Sequence, residues 1–289
     1  MNKTGVEYAD YSWNPITGCF GPCGKLCAYC YAAGIARRFA VNKREDGTVV
    51  RGKACEEGEI HVLDFPVYMG AYDDKGKLCA AGARSPYPYG FDPTFHNYRF
   101  LPDDAPASVK KSSTIFVGDM ADMFGDWIPD EWVQAVFEAC AAAPQHKYLF
   151  LTKHPGGYNR LGYLLGAHER DDIARNFFFG FTASDQRDFG WRATLADTYL
   201  TPYYHHFASL EPLCGPITLD FDGAGCKCIE WIIVGADTSN RKNRVVPRRD
   251  WVKNIVEQCR GYGVPVFLKD NLRDVWAADL IQEYPEGLR

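Results

Sequence analysis

The sequence predicts a single α/β domain, a parallel (β/α) barrel or partial barrel spanning 1–289, with a long insertion after the first βα unit. Three observations lead there. Six short runs rich in Ile, Val and Phe, at 114–117, 148–152, 177–182, 206–210, 231–234 and 264–268, are each bounded by polar or Gly/Pro residues, as are strands buried on both faces of a parallel sheet. Helical patterns separate most of these runs, which favours crossovers between parallel strands over a sandwich. A length of 289 residues at 46% hydrophobic composition suits one such domain with a full core.

In chain order, residues 8–18 read as a short first strand entering a cysteine-dense loop, with Gly18 free to turn the backbone. From Cys30 to about Asn42, Tyr31, Ile35, Phe39 and Ala40 fall near helical spacing, so Cys30 opens a helix whose dipole favours an anionic thiolate. Residues 43–113 are dominated by Gly, Pro, Asp and aromatics, with a hairpin expected near 59–72 and no helix. Ordered loops of that length are usually functional, so this stretch is expected to be an insertion or lid across one mouth of the fold, or else a wrapping surface segment. Further on, Trp132, Val133, Val136, Phe137 and Cys140 share one helical face, and Trp251, Val252, Ile255, Val256 and Cys259 share another. Pro129 and Asp130 start the first helix, and Gly261 and Gly263 end the second.

In a parallel barrel the chemistry sits on the loops that follow the strands. That rule selects Asp119, Asp122, Thr152, Lys153, Thr182, Ser184, Glu211, Asp237, Lys269 and Asp270, and it puts the cysteine loop at the same mouth. Four of the chain's 11 cysteines, Cys19, Cys23, Cys27 and Cys30, lie within 12 residues. An odd cysteine count without a basic-then-apolar leader argues for reduced thiols and a cytoplasmic protein. Apolar runs stay below the ~18–20 residues of a membrane span. A zinc site would need four ligands, usually as two knuckles. Three closely spaced thiolates better suit a [4Fe–4S] cluster with one open iron, either Cys23-x3-Cys27-x2-Cys30 or Cys19-x7-Cys27-x2-Cys30.

The first of these spacings, with Tyr29 inside the last pair, resembles the cluster motif of the radical S-adenosylmethionine superfamily, whose barrels carry the cluster after the first strand. More closely, the chain resembles a group of phage and bacterial radical-SAM-like proteins of unassigned function, distantly similar to spore photoproduct lyase. The likeness rests on Ser12-Trp13-Asn14-Pro15-Ile16-Thr17-Gly18-Cys19, Cys27-Ala28-Tyr29-Cys30-Tyr31-Ala32, Phe91-Asp92-Pro93-Thr94-Phe95-His96, Ile115-Phe116-Val117-Gly118-Asp119-Met120-Ala121-Asp122, Leu149-Phe150-Leu151-Thr152-Lys153, Ser209-Leu210-Glu211-Pro212 and Trp231-Ile232-Ile233-Val234-Gly235. In that group the first ligand is the cysteine of Thr-Gly-Cys, here Cys19, whereas the superfamily spacing selects Cys23. The resemblance further implies that Gly118, Asp119 and Met120 meet the methionine end of S-adenosylmethionine, although the usual Gly-Gly-Glu is not reproduced, and that Ser209 and Glu211 meet its ribose or carboxylate. As ordinary loop residues, the same side chains only cap turns.

The implied activity is reductive cleavage of S-adenosylmethionine to a 5′-deoxyadenosyl radical for hydrogen abstraction. An electron donor of flavodoxin or ferredoxin type would serve it, and Lys153, Asp122, Lys269 and Asp237 would orient substrate or move protons. These four would otherwise pair with one another at the rim. A net charge of −5 gives no global attraction to nucleic acid. Arg241, Lys242, Arg244, Arg248 and Arg249, however, put five basic residues in nine positions, a phosphate-binding rim or a solvated loop. With the resemblance, that run points to a nucleobase, nucleotide or DNA substrate. Two other classes use the same cysteines: a zinc-stabilised barrel acting as an adaptor, and an iron–sulfur protein that only transfers electrons. His96 reads as packing, His205 and His206 point to opposite faces, Cys140 and Cys259 read as core, and Cys226 and Cys228 read as free thiols, or as further ligands of a zinc site or a second cluster.

Overall fold

The computed structural model describes residues 1–39, 41–43, 49–51, 59–68, 71–72, 78–80, 84–165, 175–200, 204–222, 227–239 and 241–289. Its centre is a sheet of seven parallel strands paired in chain order: β1 (Tyr11–Trp13), β2 (Thr114–Val117), β3 (Lys147–Thr152), β4 (Phe177–Thr182), β5 (His205–Leu210), β6 (Ile229–Val234) and β7 (Val266–Leu268). The short segment Asn2–Lys3 adds an antiparallel strand beside β1. Beside β7, Leu268 donates its N–H to Ile281 O at 2.7 Å, and Phe267 bridges Gln282. Both outer strands therefore have their backbone groups taken up, which blunts edge-to-edge association.

Alternation along the strands separates two faces. On one, Ile115, Val117, Tyr148, Phe150, Phe177, Phe179, Ile232 and Val234 join the main core, packed by α2 (Asp130–Ala141), α3 (Gln186–Tyr199) and α4 (Arg249–Tyr262). These helices bury the expected stripes, Val133, Val136, Phe137 and Cys140 on α2 and Val252, Ile255, Val256 and Cys259 on α4. Each fully buried apolar side chain contributes roughly 1.5–3 kcal/mol. The helix α4 ends at Gly263, whose φ of 69° is a left-handed cap.

On the opposite face, Phe116, Leu149, Phe178, Phe207, Trp231, Ile233 and Phe267 form a second core, closed by Tyr8 and Leu288 from the two chain ends. Tyr8 meets Trp231 and Phe267 edge-on at 5.6 and 5.7 Å. Two residues further along, Gly118, Leu151, Ser209 and Lys269, and four residues further along, Lys153 and Glu211, line a cavity where the apolar packing gives way.

The strand expected over 8–18 divides. Tyr11–Trp13 joins the main sheet, while Ile16–Thr17 turns away to pair antiparallel with Thr94–His96. Thr94–His96 pairs on its other side with His61–Leu63 in parallel. The hairpin expected near 59–72 lies later in the chain: Val67–Tyr68 pairs with Arg84–Ser85, and Ala71–Tyr72 with Leu78–Ala80, both antiparallel. Among the described residues, no helix is long and apolar enough to cross a membrane.

Candidate metal centre

The cysteine loop leaves the first strand through Gly18, and the backbone leaves it no room for a side chain. Gly18 has φ +88°, and a Cβ there would stand 2.2 Å from Asp92 O. Its N–H donates to Met120 O at 2.8 Å, and the Cys19 N–H donates to Phe91 O at 3.0 Å. The loop is thus fastened both to the segment after β2 and to the residues before Thr94–His96.

Cys19, Cys27 and Cys30 all line a single cavity of ≈ 630 Å³. The Sγ of Cys19 accepts the Gly21 N–H at 3.0 Å, and the Sγ of Cys30 accepts the Ala33 N–H at 3.4 Å. The second contact places Cys30 as the side-chain cap of α1 (Tyr31–Phe39), which buries Ala32, Ala33 and Ala36 against Phe91 and Met120. Burial pushes the Cys19 thiol well above its usual range, reinforced by the nearby Asp122 charge. Burial also raises Cys30, opposed by the Ala33 N–H and by Lys153. Cys23 lies in the turn Pro22–Gly24, and its side chain is outside the described residues.

Tyr29, between Cys27 and Cys30, shares a hydrogen bond with Ser184 Oγ at 3.1 Å. Lys153 Nζ and the Arg241 guanidinium stand 5.8 and 5.7 Å from its ring centre. Burial pushes its phenol up to about 12.

The acidic residues of the cavity are engaged one by one. Asp119 accepts from Ser12 Oγ at 3.0 Å and from Asn14 Nδ2, and burial nonetheless raises its carboxyl above the usual range. Asn14 Oδ1 in turn accepts the Met120 N–H at 3.0 Å, which gives Ser12-Trp13-Asn14 a physical role that the sequence alone did not assign. Asp122 accepts from Thr152 Oγ1, from the Lys153 N–H at 2.8 Å and from the Phe124 N–H at 3.4 Å, so it ties the loop after β2 to the end of β3. Glu211 pairs with Lys269 at 2.6 Å. A Cβ at Gly235 would stand 2.9 Å from the Glu211 carboxylate, so glycine there makes room for this pair. Asp237 accepts from Arg241 and from the Ser239 N–H at 2.8 Å; these bonds hold its carboxyl below the usual range although burial pushes the other way. Ser209 Oγ is buried at the cavity with no hydrogen-bond partner among the described residues.

Of the residues singled out in the sequence, the structure therefore brings Cys19, Cys27, Cys30, Gly118, Asp119, Asp122, Lys153, Ser209, Glu211, Asp237 and Lys269 to one cavity. Met120 instead packs beneath α1. The basic run follows only in part, since Arg241 reaches Tyr29 while Arg248 pairs with Asp250 and stands over Trp251. Glu7 and Tyr8, which line the floor, and Asn271, which exchanges hydrogen bonds with the Ala236 backbone at 2.9 and 3.2 Å, gave no sequence signal. His96 is packed as expected, fully buried between Thr17 Oγ1 at 2.8 Å and Tyr98 OH at 3.1 Å. Cys140 and Cys259 are core residues, Cys228 is a free thiol, and Cys226 lies outside the described residues.

Residues 3–278 match the family described as "Protein of unknown function (DUF5131)". The chain belongs to this family. No curated protein and no solved structure matches it. The DUF5131 match encloses every residue of the cavity, from Thr4 to Asn271.

The donor set fits an iron–sulfur group. Three soft thiols line the same cavity, and two of them already accept backbone N–H bonds of the kind that tune such centres. Among the described residues, no three Cys, His, Asp or Glu side chains converge as on one metal ion; a cubane takes its thiolates on separate irons.

Proposed function

We propose that the chain is an iron–sulfur enzyme of radical S-adenosylmethionine type, with a [4Fe–4S] cluster held by Cys27, Cys30 and either Cys19 or Cys23. The observation that carries this reading is that Cys19, Cys27 and Cys30 all line one cavity, at the ends of parallel strands where such folds place their chemistry. The matching fold is a partial (β/α) barrel, supported by seven parallel strands in chain order and by a second core on the face opposite the helices.

When bound, the cluster supplies the electron that cleaves S-adenosylmethionine to methionine and a 5′-deoxyadenosyl radical, which takes a hydrogen from the substrate. The chain's own contribution is position and exclusion of water. Gly118 and Asp119 face the cavity on the β2 side, and Ser209 and Glu211 on the β5 side, so a molecule of this size is gripped from two directions. The Ser209 hydroxyl, without a hydrogen-bond partner among the described residues, supports a ligand there. Asp122, with its oxygens already occupied, fixes the backbone that carries Lys153. Lys153 and Lys269 bring positive charge to the substrate side, with a nucleobase, nucleotide or DNA as the substrate class. The donor of the electron is of flavodoxin or ferredoxin type, and the setting is cytoplasmic.

Anaerobic purification followed by metal analysis and reduction in the presence of S-adenosylmethionine tests the reading. Brown, iron- and sulfide-containing protein that yields 5′-deoxyadenosine supports it. Colourless zinc protein overturns it in favour of an adaptor, and an iron–sulfur protein inert toward S-adenosylmethionine overturns it in favour of electron transfer.

A further inference from the structure

Among the described residues, the charged side chains that line the cavity leave one with neither an ion pair nor a hydrogen bond. Asp119, Asp122 and Asp237 are held by hydrogen-bond donors, and Glu211 and Lys269 hold each other. Glu7 accepts the Asp270 N–H at 2.7 Å, and Asp270 pairs with Arg273. Lys153 is the exception: among the described residues its ammonium makes no ion pair and no hydrogen bond, and its neighbours include the Tyr29 ring and the Cys30 thiol. A half-buried cation with three unused donors costs free energy unless an anion meets it. A second cation stands on the same ring. Arg241 donates through Nε to Ser239 Oγ and through Nη2 to Asp237, which fixes the guanidinium and leaves Nη1 without a protein acceptor among the described residues. Along the loop from Arg241, Lys242 and Arg244 are exposed and also unpaired among the described residues.

We propose that Lys153 and Arg241, both standing against the Tyr29 ring, form an oxyanion subsite that takes a phosphate group of the substrate. Guanidinium and ammonium donors of this kind recognise phosphate, and the exposed Lys242 and Arg244 extend the positive charge outward for a substrate that continues as a phosphodiester chain. The proposal rests on the cavity being the substrate site, and it narrows the substrate to a phosphate ester over a free nucleobase or nucleoside.

Titration calorimetry on the full chain, iron-loaded and iron-free, tests it with the four nucleoside 5′-monophosphates, each paired with its nucleoside, and with pyrophosphate. At least one monophosphate is expected to bind about tenfold or more tighter than its nucleoside. Lys153→Met is expected to abolish that advantage and Lys153→Arg to keep most of it, with melting temperature and iron content unchanged in both. Arg241→Gln serves as the second variant should Lys153→Met fold poorly. Equal binding of nucleotide and nucleoside, or an advantage that survives Lys153→Met and Arg241→Gln, overturns the proposal. So does a Lys153→Met variant that weakens S-adenosylmethionine alone, because the anion is then the cofactor carboxylate. Failure to cleave S-adenosylmethionine would sink the enzyme reading while leaving these binding results to stand by themselves.

Discussion

Gly18 and Cys19 show how closely backbone and chemistry are joined in this loop. Gly18→Ala forces a left-handed φ on a β-carbon that also meets Asp92 O at 2.2 Å, and a loss of about 2–4 kcal/mol is expected, read as a lower melting temperature and loss of bound iron together. Ligand substitutions separate the two remaining choices for the third thiolate. Cys27→Ala and Cys30→Ala are expected to empty the site, and of Cys19→Ala and Cys23→Ala one is expected to do the same while the other retains iron. Asp119 carries a pH signature. Burial raises its carboxyl, so the folded chain keeps a proton that the unfolded chain releases near pH ~4, and stability falls as pH rises past that point. Between pH 4 and pH 7, Asp119→Asn is therefore expected to gain melting temperature relative to wild type; an unchanged difference would refute the buried, proton-retaining carboxyl.

At the scale of elements, α2 shows where the stability lies. Phe137 is fully buried between Phe124, Phe150, Phe177 and Phe179 at ring separations of 5.4–6.4 Å, so Phe137→Ala is expected to cost about 3–5 kcal/mol in chemical denaturation. Trp191 on α3 is 66% exposed, and Trp191→Ala is expected to stay within about 0.5 kcal/mol. The same contrast explains what could be read in advance. The stripes of α2 and α4 are bulky and regular, and the strands 114–117 and 177–182 have their boundaries where the apolar runs end, because strands buried on both faces admit few polar residues. In α3 the buried positions are Phe189, Arg192, Ala193 and Ala196; a stripe of small residues with an arginine in it gives a weak periodic signal, although Arg192 is satisfied by Thr182 O at 2.7 Å. The division of residues 8–18 was invisible for a different reason: Ile16 and Thr17 are strand-like, but their partner Thr94–His96 lies far along the chain.

Across the whole molecule, the βα-loop rule found the cavity because parallel strands in chain order put all their C-terminal ends together. It could not find the floor, since Glu7 and Tyr8 reach it through long-range packing that local sequence does not encode. Nor could it divide the labour among the acids. Asp119 and Asp122 look alike in sequence, yet one is held by Ser12 and Asn14 and the other by the end of β3. The insertion reaches the centre at Phe91 and Asp92, which clasp Gly18 and Cys19, so it supports the cysteine loop as well as adding length. The claim that binds these parts is that the cavity's thiols hold a redox cluster working on a molecule in the adjoining space. The most direct measurement is 5′-deoxyadenosine formation by anaerobically reconstituted protein after chemical reduction, in wild type and in Cys27→Ala. The account predicts about four irons per chain and 5′-deoxyadenosine from wild type, with both lost in Cys27→Ala. A wild-type protein that retains zinc in place of iron, or iron-loaded protein that leaves S-adenosylmethionine intact, would contradict it.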